Sequence, residues 1–340
     1  MRQRLLMSAA ALVVLAAAGA ATTTMIRAAA QAPERPKVAA NAGVSNVQRT
    51  PWGAPDLQGV WSTATVTPME RPREFANKEF LTPEEVKAFE ARIVNQRDTD
   101  NRRTGNADVT AAYNNAWYDY GSTYIPTRRT SLVIDPPDGK IPARTAAGEE
   151  RAKRAIPLSG IQEFRIVGSW LERGLWERCI TRGVPEVMLP TAYNNNYRIF
   201  QTPDHVAILT ELIHDVRIIP IGRPHLGSGL RQWMGNSVGH WEGDTLVVDT
   251  TNFTDKTSFR GATDNLHVVE RFRRVDRDVL VYQATIDDPS TFTKPWTFEL
   301  PVRRLDGFIY EYACHEGNHG LENLLSASRA AEKAGKGFQK

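Results

Sequence analysis

The sequence predicts a mainly β fold, an antiparallel up-and-down barrel or a strongly curved sheet, with a long irregular N-terminal arm before it and a C-terminal helix after it. Three observations predict this. From Tyr197 onward apolar and polar residues alternate with the period of a strand that has one face buried. The runs are parted by turns such as Thr202-Pro203-Asp204, Glu242-Gly243-Asp244, Asp276-Arg277 and Asp306-Gly307. These are too short for crossover helices, so successive strands are expected to be antiparallel neighbours.

In order, the expected strands are Tyr197 to Thr202, His205 to Leu212, Asp215 to Ile221, Ser237 to Glu242, Asp244 to Phe253, Leu266 to Val275, Asp278 to Asp288, Trp296 to Leu305 and Gly307 to His315. A meander of this length favours closure, because closure removes exposed edges. A helix from about Gly320 to Ala334 then packs outside. The chain divides into a signal peptide (1–30), a linker (31–55), an arm with short helices (56–190), the antiparallel sheet (191–317) and a helix with its tail (318–340).

At the N-terminus Arg2 and Arg4 precede an apolar stretch, Leu5 to Ala21, and small residues follow at Ala28 to Ala30. This is the pattern of a cleaved secretory signal, which implies a periplasmic or secreted protein with no membrane span after cleavage. An uncleaved anchor is the alternative reading of the same stretch. Of 42 basic and 39 acidic residues, the first thirty hold Arg2, Arg4 and Arg27 and no acid, so the mature charges balance. The basic character of the whole chain is therefore not a nucleic-acid footprint.

Residues 31–56 are rich in Ala, Pro, Asn and Gly and read as a linker. Thr82-Pro83-Glu84-Glu85 is a helix start, with Thr82 as N-cap, Pro83 in the first turn and Glu85 returning the capping-box bond. Residues 145–155 read as a short surface helix. Tyr113, Trp117, Tyr118 and Tyr120 form an aromatic cluster with Asn114 and Asn115, which either packs the arm or lines a pocket for an apolar or aromatic ligand. The two cysteines, Cys179 and Cys314, most simply make one long-range disulfide in an exported chain, the alternative being two buried thiols.

The strand succession, the C-terminal helix and the Gly59-Val60-Trp61 triplet resemble lipocalin-like (calycin) barrels. The runs Arg129 to Pro137, Gly239 to Val248 and Cys314 to Asn318 also resemble those of a group of exported bacterial proteins. That second resemblance spans most of the mature chain and supplies no activity.

His315-Glu316-Gly317-Asn318-His319 matches H-E-x-x-H, but zinc chemistry needs both histidines on one helical face, and Gly317-Asn318 is turn chemistry. More informative are polar residues on strand faces that are otherwise apolar, because a buried polar group needs a partner. Glu270 shares a face with Leu266, Val268 and Phe272, Glu311 and His315 with Ile309 and Ala313, and His240 and Glu242 with Val238. A second group is His214-Asp215 with Arg217, at a hairpin turn, followed by Arg223-Pro224-His225 at the start of a Gly-rich loop. His214, Asp215, Arg217, His240, Glu270, Glu311 and His315 are thus the candidate catalytic residues, a His/carboxylate cluster acting by acid–base chemistry or through a divalent metal. No nucleophile elbow, Walker sequence or dinucleotide fingerprint is present, which argues against nucleotide cofactors. The expected function is an exported hydrolase or hydratase for a small lipophilic or aromatic molecule, such as an aryl ether or ester. The alternatives are a non-catalytic carrier of a hydrophobic ligand and a structural module whose arm binds a partner.

Overall fold

The computed structural model describes residues 48–98, 115–154, 169–256 and 259–335. The signal peptide, most of the linker and Tyr113 lie outside them. Ten strands form one sheet: β1 (Gly59–Ser62), β2 (Val133–Asp135), β3 (Asn196–Gln201), β4 (His205–Thr210), β5 (Val216–Pro220), β6 (Asn236–Glu242), β7 (Thr245–Thr251), β8 (His267–Asp276), β9 (Val279–Asp287) and β10 (Trp296–Leu305). The spatial order is β5, β4, β3, β1, β10, β9, β8, β7, β6, with β2 added to β10. Every paired strand in this order is antiparallel.

Alternation in sequence becomes alternation in burial. Along β9 (Val-Leu-Val-Tyr-Gln-Ala-Thr-Ile-Asp) every second residue is buried, so Leu280, Tyr282, Ala284 and Ile286 share the inner face. The inner faces of β1, β3, β8 and β10 add Trp61, Tyr197, Phe272, Trp296 and Phe298, all fully buried. Ring contacts join Phe272 to Tyr282 (4.9 Å between centroids), Tyr282 to Phe298 (5.7 Å) and Phe298 to Trp296 (6.0 Å). Each such ring removes a large area from water and favours tilted or edge contacts, and the rings fill the concave side of the sheet.

Three expectations are corrected. β5 and β6 follow one another in sequence but are the two edges of the sheet, and among the described residues no ladder joins them, so of the two architectures expected the closed one is not formed. The edges meet at one parallel bridge, Ile221 with Gly239, where the Gly222 N–H donates to the Gly239 carbonyl at 2.8 Å. The Gly-rich loop between them, residues 222–235, is long enough to free β6 from hairpin geometry. Second, β1 falls within the stretch expected as the arm (56–190) yet lies between β3 and β10 in the sheet, as a first strand at Gly59-Val60-Trp61 would. Third, Gly307 to His315 is not a strand. Phe308 and Tyr310 are 79% and 76% exposed, and the segment is held instead by Cys314 in the disulfide and by the Tyr312 N–H, which donates to His214 Nε2 at 2.8 Å. Its alternation is not matched by a buried face, since no residue from Gly307 to His315 is buried.

Local signals outside the sheet are found as expected. Helix α1 (Pro83–Arg97) starts with both halves of the Thr82/Glu85 capping box. Helices α2 (Ala146–Arg154) and α3 (Gly320–Lys333) occupy the remaining helical runs. Cys179 and Cys314 form a disulfide across 135 residues of sequence. No helix among the described residues is long and apolar enough to cross a membrane.

Candidate functional site

The candidate catalytic residues separate into four places. Arg217 and Glu270 meet inside the sheet. Arg217 Nη1 donates to Glu270 Oε1 at 3.0 Å and Nη2 to Oε2 at 2.6 Å, a two-pronged ion pair with side chains 3% and 0% exposed. Tyr282 donates its hydroxyl to Glu270 Oε1 at 2.9 Å, and Arg217 Nη2 also donates to Ser237 Oγ at 3.0 Å. Burial pulls the Arg217 guanidinium towards the neutral form, but the Glu270 charge outweighs it and holds its pKa above the usual value. Burial and the Glu270 charge push the Tyr282 and Tyr197 phenols up. Because Arg217 belongs to β5 and Ser237 to β6, this network spans the two edges of the sheet.

His214 and Asp215 sit at the β4–β5 turn, where Ile213 and His214 both have positive φ (65° and 57°). His214 Nε2 accepts the Tyr312 N–H and so holds the C-terminal segment. Asp215 accepts the Thr181 hydroxyl at 2.7 Å, and burial pushes its carboxyl above the usual range against that hydrogen bond. His240 lies on the opposite, outer face, where it meets Glu242 at 3.2 Å beside Arg271. Strand pleating sends Ser237 and Gly239 inward and therefore His240 outward. Glu311 and His315 are exposed on the segment after β10, and Trp117 is 65% exposed, while Tyr118 stacks on Tyr120 at 5.0 Å. The expected convergence in one interior is thus limited to Arg217 and Glu270, because only their strands present those positions to the concave side.

A different cluster unites imidazoles and a carboxylate. Asp249, on the outer face of β7, takes His225 Nε2 on Oδ1 at 2.9 Å and His267 Nε2 on Oδ2 at 2.8 Å. Asp249 pairs with Val269, which makes His267, two residues earlier on β8, its diagonal neighbour on the same face. His225 arrives from the loop. Its Nδ1 faces Asn236 Oδ1 at 3.0 Å, and that oxygen also accepts the Leu226 N–H, which fixes the amide orientation. Both nitrogens of His225 therefore face acceptors, whereas His267 Nδ1 has no hydrogen bond to a described residue. The His267 hydrogen bond and charge hold Asp249 below the usual carboxylate range, and the Asp249 hydrogen bond raises His267 despite partial burial. In the sequence, Asp249 within Thr-Leu-Val-Val-Asp-Thr-Thr was a visible signal, since a carboxylate interrupts an apolar strand.

A surface cleft of about 510 Å³ is bordered by Arg231 and Trp233 of the loop before β6, by Thr254, Asp255 and Lys256 after β7, and by Asp264 before β8. Arg231 Nη1 donates to the Phe253 carbonyl at 3.0 Å and to the Asp264 carbonyl at 2.9 Å, joining the loop to both chain stretches. Among the described residues no group of three or more His, Cys, Asp or Glu side chains is arranged to hold a metal ion.

The fold and site define a curved antiparallel β-sheet protein with an outer-face His/Asp cluster. No protein-family model matches the chain, and no curated protein does. Among solved structures, a point mutant of the fluorescent protein UnaG is similar at 13% identity, over 39% of this chain and 86% of that one, with a TM-score of 0.23. A score of that size adds nothing to the fold read from the strands.

Proposed function

We propose that the chain is an exported enzyme that uses water on a small molecule, a hydrolase in which His267 moves the proton and Asp249 orients it. The observation that carries this reading is the pairing of His267 Nε2 with Asp249 while Nδ1 stays open on a side chain that is 39% exposed. A carboxylate on one ring nitrogen fixes the tautomer and makes the other nitrogen a proton acceptor. With an ester, water attacks the acyl carbon as His267 Nδ1 takes its proton. The bond to the alcohol oxygen then breaks as the imidazolium returns that proton to the leaving group. The signal-like N-terminus and the Cys179–Cys314 disulfide support export. A carrier with its ligand inside the sheet is less well supported, since Trp61, Tyr197, Phe272, Tyr282, Trp296 and Phe298 occupy that space.

The test is hydrolysis of p-nitrophenyl acetate and a panel of short-chain aryl esters, followed by release of the phenolate. His267→Gln is expected to lower kcat/KM about a hundredfold, within the range of general acid–base contributions, and Asp249→Asn about tenfold. His240→Gln, which removes a more exposed imidazole (54%) that also sits beside a carboxylate, should change nothing. Equal losses in His240→Gln and His267→Gln, or a wild-type rate in His267→Gln, would refute the assignment.

A further inference from the structure

We infer that the cleft bordered by Arg231, Trp233, Thr254, Asp255, Lys256 and Asp264 is a saccharide-binding site. Its volume of about 510 Å³ is of ligand size. Trp233 is 37% exposed, so part of its indole faces solvent rather than the core. The charges in the lining cancel, with Arg231 and Lys256 against Asp255 and Asp264. Arg231 and Asp264 are paired at 3.3 Å, whereas the side chains of Asp255 and Lys256 are exposed and have no ion-pair partner among the described residues. A net anion would leave Asp255 opposed, and a net cation would oppose Lys256. A lipophile would strip water from both without replacing their hydrogen bonds.

A neutral polyol meets all of these conditions. Each hydroxyl both donates and accepts, so one ring serves the Asp255 carboxylate and the Lys256 ammonium together. The C–H face of a pyranose is flat and apolar and suits the indole face. The lining therefore moves the ligand class away from the lipophilic molecule expected from sequence. The cleft is also held in shape before any ligand arrives. Gly235 has a φ of +69° and an added Cβ would lie 2.7 Å from the Thr251 carbonyl, so the end of the loop lies against β7, while Arg231 clamps the loop to Phe253 and Asp264.

This inference stands on the cleft and does not depend on the acid–base reading. The full mature chain is titrated calorimetrically with cellotriose, maltotriose, xylotriose and chitotriose, and separately with benzoate as a planar anion. At least one trisaccharide is expected to bind with a Kd of about 1 mM or tighter. Trp233→Ala should weaken that binding about tenfold or more, and Asp255→Asn by several-fold. Trp233→Phe, which keeps an aromatic face, should retain most of it and replaces the alanine variant if that one fails to fold. Binding of none of the four sugars, binding of benzoate alone, or an unchanged Kd in both Trp233→Ala and Asp255→Asn would overturn the proposal. Sugar binding by a chain that hydrolyses no ester would sink the hydrolase reading and leave the saccharide site standing.

Discussion

Replacing Glu270 with Gln tests whether the buried Arg217–Glu270 pair holds the edges of the sheet together. The carboxylate accepts two hydrogen bonds from Arg217 and one from Tyr282, with no exposure to solvent. The amide keeps one acceptor oxygen but turns an NH2 towards Arg217 Nη2, and it leaves the guanidinium buried without a counter-charge. Breaking such a pair from one side costs about 3–5 kcal/mol. For a chain of this size that lowers Tm by roughly 5–8 °C. The double variant Arg217→Met/Glu270→Leu removes both charges and fills the space with apolar atoms, so it should lie within about 2 kcal/mol of wild type. Urea unfolding of wild type, Arg217→Met, Glu270→Leu and the double variant then gives a coupling energy of at least about 3 kcal/mol. A Glu270→Gln variant within about 1 kcal/mol of wild type, or a double variant as unstable as the two single losses combined, would refute the reasoning.

The His267–Asp249 contact makes stability pH-dependent in a defined window. The raised His267 pKa gives a contribution fully present below its unfolded value of 6.5 and lost as pH rises through the higher folded value, while the lowered Asp249 pKa gives one present above 3.8 and lost as pH falls through the lower folded value. The difference in Tm between wild type and Asp249→Asn should therefore be largest between those two values; a difference that is flat from acid to alkaline pH would contradict it. Cys179→Ala/Cys314→Ala opens a closure of 135 residues and should lose about 2–5 kcal/mol by urea unfolding, with no change expected in wild type under non-reducing conditions. Gly235→Ala places a Cβ at positive φ and 2.7 Å from the Thr251 carbonyl, so a loss of about 1–3 kcal/mol is expected, whereas Gly222→Ala, with positive φ but no atom within 4 Å, should lose less.

The period-2 alternation in β9 and the capping box at Thr82 were legible because they depend on neighbours within a few residues. Glu270 was legible as an inward carboxylate for the same reason, since Val268 and Phe272 share its face. The open seam was not legible, because whether β5 pairs with β6 depends on the curvature accumulated over the whole sheet. The His225, Asp249 and His267 cluster was missed because its members are 24 and 18 residues apart, and only the register of β7 on β8 and the path of the loop bring them together. The segment after Leu305 misled because alternation reports which sides residues face, not whether anything covers those sides.

The position of β1 imposes an order on how the molecule is made. Val60 pairs with Leu305 on one side and with Arg198 on the other, so the first strand of the sheet to be synthesised lies between a middle strand and the last. One flank of Trp61 is available once β3 is made, but the other waits for β10, and such long-range pairings are slow to form. A growing chain of this design completes its sheet only when β10 is made, and loss of β10 removes one of the two flanks of a strand some 240 residues away.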